Sequence, residues 1–228
     1  MLLSDKHAVI YGGGGAIGSA VAAAFEHEGA FVYRPSRAEV DALDAEAVDA
    51  HARSLPRIDI SFNLISHDVV QGTPMVEMDV EDYVRPVAIG VRTNFITARA
   101  AARRMIEQGA GGVILFFGGE GHPSRGVHLG GLQTGFHAIE AMRRQLACEL
   151  GRHAIRTVTL RTGGVPESIP DSFGERKSAI AASIAEASLL GRAATLADVG
   201  RVAAFVASDQ ARTMTAATVN ISAGALID

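Results

Sequence analysis

The sequence of 228 residues has a single cysteine and no tryptophan, and aromatic residues make up 5% of it. The lone cysteine, Cys148, has no partner for an internal disulfide, which is typical of a reducing compartment. No apolar stretch approaches the about 18 to 20 residues that a membrane-spanning helix needs. Residues 1–13 lack the pattern of an export signal. We therefore expect a cytoplasmic protein that does not bind membranes.

An excess of positive charge is also lacking. Lys and Arg together number 21 against 25 Asp and Glu, so the formal net charge is -4. This balance argues against a partner with a nucleic-acid backbone. Hydrophobic residues, in contrast, make up 48% of the chain. That content excludes a disordered protein and suffices for a large core.

Short apolar runs typical of buried strands alternate along the chain with segments of helical periodicity. The predicted strands are 7–11, 30–34, 58–66, 112–117, 157–161 and 218–222, and the predicted helices are 17–27, 84–108, 129–150 and 196–207. The chain shows no internal repeat and no linker rich in proline or serine. The alternation therefore predicts one α/β domain, residues 1–228, with a mostly parallel sheet and helices on both faces.

A glycine-rich turn, residues 12–18, joins the first predicted strand to the first predicted helix. Glycines let the backbone turn sharply and approach a phosphate, and free N–H groups at a helix start attract the anion. Any tight strand-to-helix turn favours glycine, so the turn alone is weak evidence. Its place after the first strand of an alternating chain is where a dinucleotide pyrophosphate is expected.

Several segments in the right order resemble short-chain dehydrogenases/reductases. Residues 11–18 resemble the family's T-G-x-x-x-G-x-G turn, and residues 59–66 its D-I-L-V-N-N-A-G segment. Residues 191–199 are similar to the G-R-x-x-x-P-E-E-V segment, and residues 205–209 and 218–224 match the closing helix and strand. The resemblance implies a doubly wound domain of the Rossmann type, a nicotinamide nucleotide, a small-molecule substrate, and a homodimer or homotetramer.

The resemblance also assigns cofactor-binding positions. They are Gly12, Gly14, Gly15, Ile17, Gly18, Arg37, Asp41, Ala42, Asn63, Ile65, Ser66 and Gly164. After the second predicted strand the chain carries Arg34 and Arg37 and no carboxylate. A guanidinium pairs with the extra phosphate of NADP, whereas a carboxylate binds the ribose hydroxyls of NAD. We therefore expect NADP(H) to be favoured over NAD(H); the alternative is that both arginines are ordinary surface cations.

One departure from the family concerns the sheet. Residues 40–44 resemble the end of the family's third strand, yet they follow Arg37 almost directly. Adjacent parallel strands require a crossover of about a dozen residues or more, normally a helix. Either the edge of the sheet is remodelled, or the sequence as given lacks a crossover helix after Arg37. We favour the second explanation.

A larger departure concerns the chemistry, because the family's Asn-Ser-Tyr-Lys tetrad is not retained. Aligned without gaps, its four positions hold Gly90, Gly119, Leu132 and Phe136. Loss of a general acid or base typically lowers a rate by about 10² to 10⁴. The sequence therefore predicts an atypical active site, in which the usual route of secondary-alcohol oxidation is not expected.

Other side chains near this site are candidates for proton transfer. Histidine titrates near neutrality, and we consider His128 and Glu120 as catalytic candidates, with Ser124 and His67 as further possibilities. A lone histidine in a loop is more often a surface or packing residue. No metal site is expected, because no motif of closely spaced Cys and His occurs. Cys148 is interpreted as a core residue of a predicted helix.

The function indicated is an NAD(P)(H)-dependent oxidoreductase with a non-standard active site. Its substrate would be small and apolar or activated, such as an activated double bond, and the family's substrate lid falls within about residues 165–190. The alternative is a catalytically inactive nucleotide-binding protein that serves as a regulatory partner.

Overall fold

The computed structural model describes residues 1–118 and 128–227. Its helices and strands are, in chain order, β1 (His7–Tyr11), α1 (Ala16–His27), β2 (Phe31–Tyr33), α2 (Ala45–Ser54), β3 (Ile60–Asn63), α3 (Val80–Gln108), β4 (Gly112–Phe117), α4 (Leu132–Leu150), β5 (Ile155–Arg161), α5 (Glu175–Glu186), α6 (Leu196–Ala207) and β6 (Ala217–Asn220). No helix in these two ranges is long and apolar enough to cross a membrane.

The six strands form one parallel sheet in the order β2-β1-β3-β4-β5-β6. The order reverses between β1 and β3, so the connections after these two strands run to opposite sides. A crevice opens at such a point beside the carboxyl ends of the strands. The predicted doubly wound α/β fold is confirmed.

Alternate residues of each strand enter two separate cores, one on each face of the sheet. In β1, Ala8 and Ile10 pack with α1 and α6, whereas Val9 and Tyr11 pack with α2, α3 and α4. Both sets are almost completely buried. Burial on both faces explains why the strands appear in the sequence as continuous apolar runs.

The edge of the sheet beside β2 differs from the family pattern. Residues 40–44, which resemble a strand end, form no strand; the chain runs from β2 through residues 34–44 straight into α2. Val40 and Ala42 are buried against the core on the α2 side. In the sequence as given, the edge of the sheet is therefore remodelled, as the first explanation states.

Helix α2 was not predicted, although its signals are present. Asp44 caps it by accepting hydrogen bonds from the N–H groups of Glu46 and Ala47. Val48 and Ala52, four residues apart, are its buried residues. A polar N-cap followed by an apolar i, i+4 pair indicates the start of a helix. The signal is weak here because the segment is short.

Other differences concern helix starts and one side chain. α3 begins at Val80, four residues before the predicted start, with Glu81 and Asp82 in its first turn, where carboxylates are favourable. α5 was not predicted, and its residues are not buried. Cys148 on α4 is exposed, so its interpretation as a core residue was wrong.

A buried ion pair joins α4 to the strands at the far side of the sheet. Arg143 donates to Glu140 at 2.8 Å, and both residues are 2% exposed. Thr159 and Thr218 also donate to this carboxylate. Burial alone would raise the pKa of Glu140, but these bonds outweigh it and the pKa lies below its usual value. The pair therefore stabilises the fold above the pKa of the unfolded chain, and its contribution is lost as the pH falls through the lower value.

Replacing Arg143 with Met leaves the Glu140 carboxylate buried without its cation, and we expect the free energy of unfolding to fall by about 3 to 5 kcal/mol. Replacing both residues with apolar ones (Glu140→Leu with Arg143→Met) should cost much less. Urea unfolding measures both. Lys177→Met, which removes an exposed pair with Asp171, is the control and should change little. Equal losses in the single and double variants would contradict this account.

Candidate functional site

The turn between β1 and α1 packs so closely that two of its glycines have no room for a side chain. A Cβ on Gly18 would overlap the carbonyl oxygen of Gly12, and a Cβ on Gly12 would lie 2.5 Å from the carbonyl oxygen of Leu64. Gly12 also has a φ of 81°, which favours glycine. A Cβ on Gly14, in contrast, would meet nothing within 4 Å. Gly14 therefore borders open space.

Helix α1 presents an uncapped N-terminus to this space. Its N-cap residue is Gly15, no side chain caps the helix, and its first turn holds no acidic residue. Ser19 Oγ donates to the Gly13 carbonyl oxygen at 3.2 Å, which holds the turn against the helix. N–H groups at such a helix start, together with the helix dipole, favour an anion.

A cavity of about 850 Å³ opens on one side of the turn. Eight of the predicted cofactor-binding residues line it: Gly12, Gly14, Gly15, Arg37, Asp41, Ala42, Ile65 and Ser66. Tyr11 also lines it, and its hydroxyl lies 3.3 Å from Nδ1 of His51 on α2. Burial, reinforced by Asp49, raises the pKa of Tyr11 far above its usual value, so this phenol stays neutral. Sequence reasoning missed this pair because α2 was not predicted.

Two arginines lie near this first cavity. Arg37 lines it, is 84% exposed at its side chain, and lies 4.0 Å from Asp41. The stem of Arg34 covers Gly13, where an added Cβ would lie 2.8 Å from Arg34 Cγ. Weakly paired, exposed guanidinium groups beside a phosphate-sized opening suit a second phosphate.

A second cavity of about 610 Å³ opens on the other side of the turn and shares Gly15, Leu64, Ile65 and Ser66 with the first. Its remaining lining residues are Ala16, Ile17, Gly18, Asn63, His67, Val69, Gln71, Phe117, Leu132, Phe136, Ser168, Pro170 and Phe173. The two cavities form one groove along the carboxyl edge of the sheet, divided by the glycine-rich turn. The shape of the groove suits an extended molecule with one end in each cavity and an anionic group at the turn.

Asn63 fixes the backbone between the two cavities. Its Oδ1 accepts from the N–H of Ile65 at 3.0 Å, and its Nδ2 donates to Thr97 Oγ1 on α3 at 3.1 Å. The side chain is buried. Both bonds hold residues 64–67 in one position relative to α3, and this segment carries Ile65, Ser66 and His67.

Of the positions that the sequence aligns with the tetrad, those that the structure describes carry either an apolar side chain, which cannot transfer a proton, or no side chain at all. Leu132 and Phe136 line the second cavity. Phe136 lies over Gly118, where an added Cβ would overlap the phenyl ring. At Gly90, an added Cβ would lie 2.9 Å from Nδ1 and Cε1 of His67. The position equivalent to the serine, Gly119, lies outside the described residues.

His67 is the one titratable residue among the described lining residues of the second cavity. It is 9% exposed, and its ring lies 5.6 Å from that of Phe136 at an interplanar angle of 60°. Burial lowers the pKa of this imidazole below its usual value of 6.5. The ring is therefore neutral at neutral pH.

The other predicted site residues are placed differently. His128 is exposed, its carbonyl accepts from the N–H of Gly72, and it lines neither cavity. Gly164 has a φ of 115° and packs against Ile184 of α5 away from both linings. Glu120 and Ser124 lie outside the described residues. Within residues 1–118 and 128–227, no group of three or more His, Cys, Asp or Glu side chains could hold a metal ion.

Three residues of the predicted lid region, Ser168, Pro170 and Phe173, line the second cavity. Phe117 at the end of β4 also lines it, and sequence reasoning did not single it out. Its position directly after a buried strand is a usable signal, because strand ends meet at the ligand-binding edge of a parallel sheet.

Comparisons with known proteins agree with this geometry. The family model described as enoyl-(acyl carrier protein) reductase matches residues 37–225. The short-chain dehydrogenase reductase ATA1 of Arabidopsis thaliana is 30% identical over 91% of this chain and 87% of its own length. The crystal structure of gox2181 superposes with a TM-score of 0.87 at 25% identity, covering 97% of this chain and 96% of that one.

A further solved structure, the short-chain dehydrogenase/reductase from Serratia marcescens BCRC 10948, has a TM-score of 0.83 at 26% identity and covers 98% of this chain and 99% of its own. The family match extends over well over half of the chain, and the Arabidopsis relative covers nearly all of it. The parallel α/β fold agrees with these structural neighbours. The protein belongs to the short-chain dehydrogenases/reductases, a superfamily of oxidoreductases that use nicotinamide nucleotides.

Proposed function

We propose that this protein is an NADP(H)-dependent oxidoreductase that acts on a small apolar molecule in an active site without the Asn-Ser-Tyr-Lys tetrad. One observation carries the proposal: the groove joins the glycine-rich turn at the free start of α1 to a largely apolar cavity at the carboxyl edge of the sheet. The second cavity offers space for a substrate beside the nucleotide. Membership of the superfamily supports the redox activity.

The residues present fit a dinucleotide. The turn from Gly12 to Gly18 and the free start of α1 would hold the pyrophosphate, and Asp41 and Ala42 would border the adenosine. Arg37 would pair with the phosphate that distinguishes NADP from NAD. When bound, the nicotinamide would supply or accept a hydride. The remaining predicted cofactor contacts, to Asn63, Ile65, Ser66 and Gly164, stay predictions, as do the catalytic candidates His128 and Glu120 and the homodimer or homotetramer.

The cavity walls support an apolar substrate. Leu132 and Phe136 replace proton-handling side chains with hydrocarbon, and Phe173 adds an aromatic face from the predicted lid. Such walls exclude water from the reacting atoms and strengthen the few polar contacts that remain. Specificity would then rest on shape and on very few polar groups.

The decisive experiment is single-turnover oxidation of bound NADPH against activated alkenes, quinones and ketones, each with an apolar substituent. We expect oxidation with at least one class. Saturable NADPH binding with no oxidation across the whole set would instead favour the inactive nucleotide-binding protein. Failure to bind either coenzyme would overturn both readings.

The coenzyme preference depends on charge at position 37. We expect Arg37→Glu to weaken NADPH binding by about 10- to 100-fold while leaving NADH binding within about threefold, because only NADPH carries the extra phosphate. Fluorescence titration of both coenzymes measures this. Arg212→Glu, an exposed arginine that does not line the groove, is the control with the same change of charge. An equal effect on both coenzymes would contradict the assignment.

The open space above Gly14 gives a separate test of where the phosphates lie. Gly14→Ala adds a methyl group that meets no protein atom within 4 Å, so the melting temperature should not change. The methyl group would instead occupy the space of the pyrophosphate, and we expect coenzyme binding to weaken about tenfold or more. Gly151→Ala, which also meets nothing within 4 Å but lies at the end of α4, should change neither quantity.

A further inference from the structure

We propose that the imidazole of His67 is the catalytic group of this cavity, where it exchanges a proton with the substrate oxygen in an alcohol–carbonyl interconversion. The inference rests on the proposed function and adds the reaction class. It starts from the apolar walls formed by Leu132 and Phe136, which stand where the family's tetrad would transfer the proton. Among the described lining residues of the second cavity, His67 alone can bind and release a proton near neutral pH.

The position of His67 depends on a missing side chain. The ring atoms nearest to a Cβ on Gly90 are Cε1 and Nδ1 at 2.9 Å and Cγ at 3.2 Å. Any larger residue at position 90 would therefore displace the ring. This edge of the imidazole faces α3, which leaves Nε2 at the opposite edge. The ring thus occupies the space that the tetrad asparagine would need.

A second wall holds the ring from the other direction. Phe136 of α4 contacts it as a tilted aromatic pair, and the phenyl ring is itself seated over Gly118. Asn63 holds the backbone that carries His67. Packing against α3 and Phe136, together with the anchored backbone, leaves the ring little motion to lose when substrate binds.

Neither ring nitrogen hydrogen-bonds to a described residue. Because the Nδ1 edge packs against α3, Nε2 is the nitrogen that the proposal assigns to the substrate. The elements around the ring carry charged or titratable groups, among them Asp68 in its own loop, Arg85 on α3 and His137 on α4, and none of these groups is a cause of the pKa shift of His67. Asp68 and Arg85 pair with each other at 3.0 Å, and His137 is exposed. Among the described residues, burial is the one cause that shifts the pKa of His67.

The step balances without any further reactant. In the oxidation direction the neutral ring accepts the hydroxyl proton of a secondary alcohol, the electrons of the O–H bond form the C=O bond, and the carbinol hydride passes to the oxidised nucleotide. The products are a ketone, the reduced nucleotide and an imidazolium. In the reverse direction the imidazolium returns its proton to the oxygen as the hydride arrives at carbon.

The two directions require opposite protonation states of His67. Oxidation needs the neutral ring, so its rate should fall as the pH drops through a pKa below 6.5. Reduction needs the imidazolium, so its rate should fall as the pH rises through the same pKa. A residue that merely packs beside the substrate would leave both pH profiles unchanged.

The test uses 1-phenylethanol with NADP⁺ and acetophenone with NADPH, since an aromatic secondary alcohol suits the aromatic walls. We expect His67→Gln to lower kcat about 10²-fold or more and to remove the ionisation from both profiles, while NADPH binding and the melting temperature are retained. Gly90→Ala should lower kcat too, because its Cβ would displace the ring. His27→Gln, an exposed histidine at the end of α1, is the control.

A second readout does not depend on turnover. In protein with ¹³C-labelled histidine, the His67 ring signal, assigned by its loss in His67→Gln, should titrate below 6.5 and shift saturably on addition of 1-phenylethanol, whereas the His27 signal should not shift. Turnover with unchanged pH profiles in His67→Gln, or a His67 signal that the alcohol does not perturb, would overturn the role of His67 alone. Absence of any wild-type turnover with every carbonyl, quinone and alkene substrate would overturn the proposed function together with it.

Discussion

The close approach of Gly18 to the carbonyl of Gly12 is the constraint on which the site depends. Because no side chain intervenes, α1 begins directly against the end of β1, and its free N–H groups face the crevice at the reversal of strand order. The turn then divides the carboxyl edge of the sheet into two cavities that share Gly15. Every assignment of coenzyme and substrate follows from this division.

Two glycines beside the second cavity leave space that aromatic rings of other residues fill. At Gly90, the position that the sequence aligns with the asparagine of the tetrad, the ring of His67 occupies the space of a side chain. Phe136 likewise occupies the space above Gly118. Among the described lining residues, the titratable group His67 is held by packing and not by hydrogen bonds.

The parts of the structure that depend on local sequence were predictable. The strands, the glycine-rich turn and the family follow from apolar runs and spaced motifs that are each continuous in sequence. The remodelled edge was considered but not favoured, because burial of Val40 and Ala42 in a loop requires the short helix α2, whose ten residues give little periodicity. The position of His67 could not be predicted either, since it depends on Gly90, twenty-three positions later in the chain, and on the ring of Phe136.

β2 is an edge strand of the sheet, where unpaired backbone N–H and C=O groups can pair with another chain. It has only three residues. Phe31 at its start is covered on one side by the ring of His7, at a centroid distance of 4.8 Å. So few unpaired backbone groups give another polypeptide little to pair with. Short edge strands are a common protection against edge-to-edge aggregation of sheets. The edge of the sheet beside β2 therefore carries little risk of unwanted self-association through the backbone.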